Sequence, residues 1–405
     1  MADIEAPDRI ESIGPEFFTD PHTHYRRWRE HGPVRRVRFP DGVIRWVILD
    51  YAAGRAALSD PRLRKAAAVN DALLSRKRVV PQSDPNALAL LTNMLNTDPP
   101  AHTRLRKLVT RAFTPRRVAA LGPRIEEITA SLLDALEGRA EADLLRDFAE
   151  PLPITVICEL LGVPLEDRAD FQDWTRALVA VAGLDEDRAR ASEEMADYLT
   201  RLVRAKAQEP AADLLSALAA PADDGDALTE SEQVGMAFLL LVAGHDTTVN
   251  LIANGTLALL RDPAQREALR RDPDAIPDAV EEFLRFDGPV NMSTIRHTAE
   301  PVTIAGTDIP EGELVFVALA AANRDPDRYP APDALDTTRD TTGHVAFGHG
   351  IHFCVGAPLA RLEARVAFAG LLSRFPNLRL SATAETLAWH PSTLMHGLQE
   401  LPVLL

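Results

Sequence analysis

The pattern from Thr229 to about Arg261 constrains the fold more than any other stretch, because it predicts one helix of unusual length. Thr229 followed by Glu232 has the form of a capping box, which marks where the helix begins. At 1.5 Å per residue, such a helix is about 50 Å long and would cross the whole molecule. The other elements must therefore pack around it.

The middle of this helix carries a polar stretch, Ala243-Gly244-His245-Asp246-Thr247-Thr248. Glycine costs about 1 kcal/mol relative to alanine within a helix. The Thr247 hydroxyl can donate to the Ala243 carbonyl one turn earlier, which tends to bend a helix. The stretch is either a tolerated kink or a loosened turn with room for a small ligand and a water.

One of the two cysteines lies in a glycine-rich loop, Phe347-Gly348-His349-Gly350-Ile351-His352-Phe353-Cys354-Val355-Gly356. Gly350 and Gly356 would let the chain fold tightly around the sulfur. The start of the following helix would favour the thiolate of Cys354. Such a thiolate, with Phe347 and Phe353 as apolar cover, suits a ligand of haem iron, whereas a lone cysteine without this context is more commonly a buried hydrophobe.

The spacing Phe-x-x-Gly-x-His-x-Cys-x-Gly over residues 347–356 resembles, position for position, the haem-binding signature of the cytochromes P450. The wider segment 344–363 is similar to the soluble bacterial branch, particularly to polyketide and macrolide hydroxylases. The resemblance implies a mainly α fold with small β-sheets and a long central helix. It also implies haem b as the cofactor and Cys354 as the axial ligand of its iron.

The same resemblance reaches from about residue 17 to the end of the chain. We expect a single cytochrome P450 domain over residues 1–405, with residues 1–16 as an N-terminal extension. Residues 66–98 hold prolines and several asparagines and predict an irregular loop. By resemblance, this loop would lie over the haem as a substrate lid.

Two further motifs take a role from the resemblance. In cytochromes P450 an acid and an alcohol in the central helix serve oxygen activation, so Asp246 would deliver protons and Thr247 would hydrogen-bond dioxygen. Many relatives carry Glu at the position of Asp246, which bears on the geometry of the proton path. Glu282 and Arg285 match the Glu-x-x-Arg pair that shapes the haem pocket by bonding to the segment 323–326.

The haem propionates need cationic or N–H partners. His102 and Arg106 lie four residues apart at a predicted helix start, so both can reach one carboxylate. Arg296 and His352 occupy the other matching positions of the family. Each residue alone could be a solvated surface charge, but the four together favour propionate binding. The further positions expected to contact the cofactor are Ala243, Phe347 and Gly356.

The substrate cavity is readable only through the resemblance, which points to residues 290–294, 391–395 and the lid. The candidate contacts are Leu91, Met94, Val290, Met292, Thr294, Leu394 and Met395. They suggest a roomy, hydrophobic cavity with few polar anchors, although each could equally be a core residue. Asp71 and Asp84 in the lid could hold an amino group of the substrate.

Composition limits the partners. The formal net charge of −16 argues against nucleic-acid binding and against an anionic membrane surface. Two cysteines give no disulfide framework and fit a reducing cytoplasm. No stretch reaches the roughly 18 to 20 apolar residues of a spanning helix, and residues 1–16 carry no apolar core of signal-peptide type. We therefore expect a cytoplasmic monomer without membrane contact.

One region runs against this negative charge. Between Pro99 and Ile125 there is no acidic residue, and the basic residues are Arg104, Arg106, Lys107, Arg111, Arg116, Arg117 and Arg124. Opposite charges steer association, so we expect an acidic ferredoxin, served by a ferredoxin reductase, to dock near Arg104, Lys107 and Arg111. A solvated helix face is the alternative.

These expectations describe a haem-thiolate monooxygenase that hydroxylates or epoxidises an apolar small molecule with O2 and electrons from a ferredoxin. A macrolide, another polyketide, a steroid-like compound or a terpenoid would fit as substrate. The enzymatic alternatives are oxidative ring coupling and peroxide-driven oxidation, and the Asp246–Thr247 pair speaks against the second. A haem sensor or carrier is the non-enzymatic alternative, in which that pair and the basic region would have no purpose.

Overall fold

The structure is a computed structural model that describes residues 10–77, 90–179, 185–221 and 225–405. Helices dominate it, as predicted. In chain order they are α1 (Pro15–Thr19), α2 (Pro21–Arg29), α3 (Tyr51–Ser59), α4 (Ala67–Lys77), α5 (Ala101–Ala112), α6 (Pro115–Ala120), α7 (Gly122–Asp134), α8 (Pro151–Leu161), α9 (Arg168–Val179), α10 (Asp185–Gln208), α11 (Leu214–Ala219), α12 (Glu230–Arg261), α13 (Pro263–Arg271), α14 (Ile276–Asp287), α15 (Leu319–Asn323) and α16 (Ala357–Arg374).

The strands are short and form small sheets. They are β1 (Ile10–Ser12), β2 (Val34–Arg38), β3 (Ile44–Ile48), β4 (Leu63–Arg64), β5 (Glu141–Asp143), β6 (Arg296–Thr298), β7 (Val302–Ile304), β8 (Thr307–Ile309), β9 (Leu314–Val317), β10 (Arg379–Leu380) and β11 (Pro402–Leu404). The largest sheet has the order β1-β2-β3-β9-β6-β4, and β10-β11-β5 and β7-β8 form two smaller ones. Strands β2 and β3 form an antiparallel hairpin that turns at Gly42 with a φ of 78°.

The long helix α12 is the centre of the fold. The Thr229 side chain accepts a hydrogen bond from the Glu232 N–H, and the Glu232 carboxylate accepts one from the Thr229 N–H, so the predicted capping box is confirmed. Helices α8, α10, α14 and α16 pack against α12. In the part of the chain that the structure describes, it alone is long and apolar enough to cross a membrane, a property the sequence analysis missed, but 61% of that apolar window is buried inside the protein. Such burial is that of a core helix.

Two expectations about local structure are corrected. The expected N-terminal extension contains β1, which pairs in parallel with β2 and so belongs to the main sheet. The expected loop 66–98 begins with α4, in which only Asn70 is buried. This helix carries no apolar stripe, which is why periodicity failed to show it. Residues 78–89 of the expected lid, with Asp84, lie outside the described residues.

Candidate active site

The loop around Cys354 is as tight as its glycines predict. The Cys354 N–H donates to the Phe347 carbonyl at 3.0 Å, which closes the loop. Gly350 has a φ of 75°, and a Cβ there would press against Ser59 Oγ at 2.8 Å, so this position requires glycine. Gly356, directly before α16, has a φ of −80°, which any residue can adopt. Its backbone conformation therefore does not require glycine.

The Cys354 thiol faces a large cavity. Burial raises the pKa of this thiol, and the N–H groups of Gly356 and Ala357 together with Arg106 and Arg361 offset the rise only in part. The surroundings alone therefore do not favour the thiolate, contrary to the expectation from the helix start. A metal ion would supply the missing stabilisation, because a coordinating thiol is deprotonated.

The cavity lies between the cysteine loop and the middle of α12. Its empty volume is about 1440 Å³, including the part open to solvent. Cys354, Phe347 and Gly356 line it from the cysteine loop and the start of α16, and Ala243 and Thr247 line it from α12. The structure thus brings together five of the predicted site residues from distant parts of the sequence.

Basic side chains meet at one edge of this cavity. Arg106, Arg296 and His352 line it, and the ring of His102 packs on that of His352 with centroids 4.3 Å apart. Burial lowers the pKa of Arg296 to about 10, which reflects how thoroughly water is excluded. Lys65, which sequence reasoning missed, also lines the cavity and is 1% exposed.

Two buried side-chain nitrogens at this edge test whether the residues fit a haem. His102 Nε2 and Arg296 Nε are buried and have no hydrogen-bond partner among the described residues. A buried polar atom without a partner is costly, so such donors call for an acceptor from a bound group. The carboxylates of a haem would satisfy them, and Cys354 would hold its iron. The residues present therefore fit a haem.

The polar turn of α12 has the predicted backbone geometry. Thr247 Oγ1 donates to the Ala243 carbonyl at 2.8 Å, and Thr247 lines the cavity. Asp246 is not among the residues that line the cavity. Its backbone carbonyl accepts a hydrogen bond from Asn250 Nδ2 at 2.9 Å. His245 is buried, and this burial lowers the pKa of its ring. Of the acid–alcohol pair, only the alcohol faces the cavity directly.

Glu282 and Arg285 form a fully buried ion pair at 2.6 Å. Arg285 Nη1 also donates to the carbonyl oxygens of Asn323 at 3.1 Å and Pro332 at 2.9 Å. The Asn323 side chain in turn accepts from the Val345 N–H at 2.7 Å, two residues before Phe347. The pair therefore reaches the segment that the resemblance named and, through Asn323, the cysteine loop.

The expected substrate contacts divide into two groups. Met94, Val290 and Thr294 line the cavity. The others are not among its lining residues: Leu91 is exposed, Met292 packs in a separate aromatic core, Met395 pairs by a β-bridge with Val290, and the remaining ones are Leu394 and Asp71.

Several wall residues were missed by sequence reasoning. Leu239 and Leu240 precede Thr247 by eight and seven residues on α12 and line the same cavity. Seven or eight residues correspond to two helical turns and therefore to the same face of the helix. Once Thr247 is assigned to the cavity, the sequence predicts that Leu239 and Leu240 line it as well. Leu95, Pro289 and Ser293 complete this side. Their positions depend on tertiary packing and carry no such signal.

The basic region of residues 104–124 contains an arginine that is tied to the start of another helix and further basic side chains that are exposed. Arg104 is held by Asp226 at 3.0 Å and by Glu232 at 2.7 Å, so it ties α5 to the start of α12. That Arg104 takes part in docking stays a prediction. Lys107 and Arg111 are exposed on α5.

Comparison with known proteins agrees with this geometry. The cytochrome P450 family model matches residues 178–395. Cytochrome P450 107B1 of Saccharopolyspora erythraea is 52% identical over 404 residues, which cover 100% of this chain and 99% of that protein. The vitamin D(3) 25-hydroxylase of Pseudonocardia autotrophica is 50% identical and covers 96% of this chain and 94% of its own.

A solved structure leads to the same family. The tirandamycin C-bound P450 monooxygenase TamI superposes with a TM-score of 0.92 at 47% identity, covering 98% of this chain and 100% of that one. The expected fold, cofactor and activity are therefore confirmed. The chain belongs to the cytochrome P450 family and is a haem monooxygenase that acts on apolar small molecules with O2 and redox partners.

Proposed function

We propose that this monooxygenase hydroxylates or epoxidises a neutral polyketide, macrolide or similarly sized polycyclic substrate. The observation that carries this proposal is a cavity with Cys354 on one side, Thr247 on the other and largely apolar walls. No acidic residue lines the cavity in the described ranges, so an uncharged substrate fits better than a cationic one. One relative is named as a vitamin D(3) 25-hydroxylase, and one solved neighbour is bound to tirandamycin C.

Each site residue has a proposed task. Haem, when bound, supplies the chemistry of oxygen activation. Cys354 would ligate its iron, and His102, Arg106, Arg296 and His352 would hold its propionates. Thr247 holds a proton or a water at the cavity, and Asp246 resupplies protons to it from the polar side of α12. Glu282 and Arg285 keep the cysteine loop in place.

The electron donor is proposed to be an acidic ferredoxin that receives electrons from a ferredoxin reductase. Exposed Lys107 and Arg111 on α5, the helix that also carries Arg106 into the haem site, support docking on this side. We place the enzyme in the cytoplasm as a monomer, with residues 1–405 as one domain. The reduced state expected of its two cysteines supports that location.

The first experiment is the spectrum of the dithionite-reduced protein with and without carbon monoxide. We expect a strongly red-shifted Soret band for the wild type and its loss in Cys354→Ser. An unchanged band in that variant would remove Cys354 as the ligand. Candidate substrates are then tested for displacement of the haem-bound water, followed by turnover with ferredoxin, reductase and NAD(P)H. Products of ring coupling would show that the enzyme is a coupling oxidase, and the absence of any oxidised product would favour a haem sensor or carrier.

The docking site has its own test. Lys107→Glu and Arg111→Glu should slow electron transfer from ferredoxin about tenfold at low ionic strength, and the difference should shrink as salt rises. Arg188→Glu on α10 is the control, because it makes the same charge change at an exposed arginine of another helix. Equal rates in all three variants would place the ferredoxin elsewhere.

A further inference from the structure

Lys65 is a buried cation that the known site does not account for. It follows β4, which pairs with β6, so its chain neighbour Arg64 lies opposite His297, the residue after Arg296. The Lys65 side chain is 1% exposed and lines the cavity together with Arg296 and Arg106. Burial and the nearby Arg296 lower the pKa of this lysine, and Asp98 raises it.

The one nearby carboxylate is already engaged by the backbone. Asp98 accepts hydrogen bonds from the Lys65 N–H at 2.9 and 3.2 Å and from the Ala66 N–H at 3.0 Å. This clasp holds the backbone of Lys65 against the start of α5. In the described part of the chain, no residue accepts a hydrogen bond from Lys65 Nζ or lies in an ion pair with it.

An ammonium group in this position requires an anion. A buried charge without a partner costs several kcal/mol, so where no protein group pairs with it, a bound anion is what would stabilise its charged form. The unsatisfied donors His102 Nε2 and Arg296 Nε lie in the same basic cluster and call for acceptors of the same kind. Lys65, His102 and Arg296 would all be satisfied by carboxylate oxygens at this edge of the cavity.

We propose that Lys65 is a cofactor-binding residue whose ammonium group donates a charge-assisted hydrogen bond to a haem carboxylate beside Arg296. The Asp98 clasp positions it for this task, because it fixes the backbone from which the side chain reaches inward. Lys65 directly precedes residues 66–98, so it would connect the start of the expected lid to the cofactor. An anionic group on the substrate is the competing occupant.

The test measures how fast haem leaves the holoenzyme when excess apomyoglobin is present to capture it. Lys65→Met should release haem about tenfold faster than the wild type, the effect of losing one charge-assisted hydrogen bond. Lys65→Arg should restore most of the retention. Arg64→Met is the matched control, since it removes the exposed cation next in the chain and should change nothing. Far-UV circular dichroism of each holoenzyme checks the fold.

A second cofactor separates binding from a structural role. The same variants are reconstituted with haem dimethyl ester, whose esterified propionates carry no charge. The difference between Lys65→Met and the wild type should then vanish. A difference that persists with the ester, or haem release equal to that of Arg64→Met with ordinary haem, would overturn the proposal. So would unchanged release accompanied by weaker binding of an anionic substrate.

Discussion

Thr247 Oγ1 donates a hydrogen bond of 2.8 Å to the carbonyl oxygen of Ala243 one turn earlier. Because the hydroxyl proton is engaged by the helix, the lone pairs of Oγ1 are available to the cavity. The side chain can thus accept a hydrogen bond from a water or a protonated ligand there. Its orientation is set before any ligand arrives.

Replacing Thr247 by Ala should uncouple the enzyme. NAD(P)H consumption should continue while the product formed per NAD(P)H falls about tenfold or more, since proton transfer by a positioned group contributes at least that much. Oxygen and peroxide electrodes, together with product quantification, measure the ratio. Thr247→Ser keeps the hydroxyl and should retain coupling. Undiminished product yield in Thr247→Ala would remove this residue from the mechanism.

Arg285→Met should destabilise the protein by about 3 kcal/mol, because it removes the closer of the two arginine partners of buried Glu282 and leaves only Arg339 at 3.4 Å. The denaturation midpoint in urea and the fraction of protein that retains haem both report the effect. Arg270→Met is a close control: it also removes one of two arginine partners of a glutamate, here Glu267, in a pair three residues apart but on the surface. That change should cost less than about 1 kcal/mol. Equal losses would contradict a special role for the buried pair.

His22 should make stability depend on pH between about 4 and 6.5. Burial and then Arg324 lower the pKa of this ring to about 4, although Asp287 at 3.1 Å partly opposes the shift. Between these pH values the unfolded chain binds a proton that the folded protein does not. Stability is therefore fully present above pH 6.5 and is lost as the pH falls towards 4.

The measurement is the urea midpoint as a function of pH. His22→Gln should reduce the slope of the unfolding free energy by about one proton within this window. Some slope should remain, because His396 on the other side of Asp287 also has a lowered pKa. His31→Gln, at a histidine outside this cluster, is the control. A slope that His22→Gln leaves unchanged would contradict the assignment.

Gly235→Ala should weaken substrate binding while haem stays bound. A Cβ at this position of α12 would overlap the carbonyl oxygen of Thr92, and the adjacent Met236 sulfur accepts a hydrogen bond from the Met94 N–H at 3.5 Å. Overpacking of this kind costs about 1–3 kcal/mol, so we expect a dissociation constant about tenfold higher. Spectral titration with a substrate measures it, with Ser231→Ala as the control. Unaltered affinity would show that residues 92–94 do not shape the cavity.

Local chemistry explains what the sequence predicted well. The capping box of Thr229, the back-bond of Thr247 and the tight loop at Gly350 each depend on residues within a few positions of one another. Such features can be derived without knowing the rest of the fold. The family signature then placed Cys354 in its context.

What failed depends on distant partners. Nothing in the sequence shows that Arg104 ties α5 to the start of α12, and only the approach of Asp226 and Glu232 reveals it. In the sequence Lys65 is indistinguishable from a surface lysine, and only the pairing of β4 with β6 brings it into the cavity beside Arg296. Met292 has the composition of a cavity wall, yet it packs against the aromatic residues of the N-terminal helices. Side-chain direction in irregular segments follows from tertiary contacts.

The Asp98 clasp has a consequence for how such an enzyme diversifies. Its hydrogen bonds to residues 65 and 66 hold both ends of the intervening segment together. The entropy of closing a flexible loop grows only with the logarithm of its length, about 0.6 kcal/mol for each doubling. By this measure, a change in the number of residues between the clasped ends would cost the fold little closure entropy. Evolution can vary one segment for new substrates while the oxidising centre stays the same.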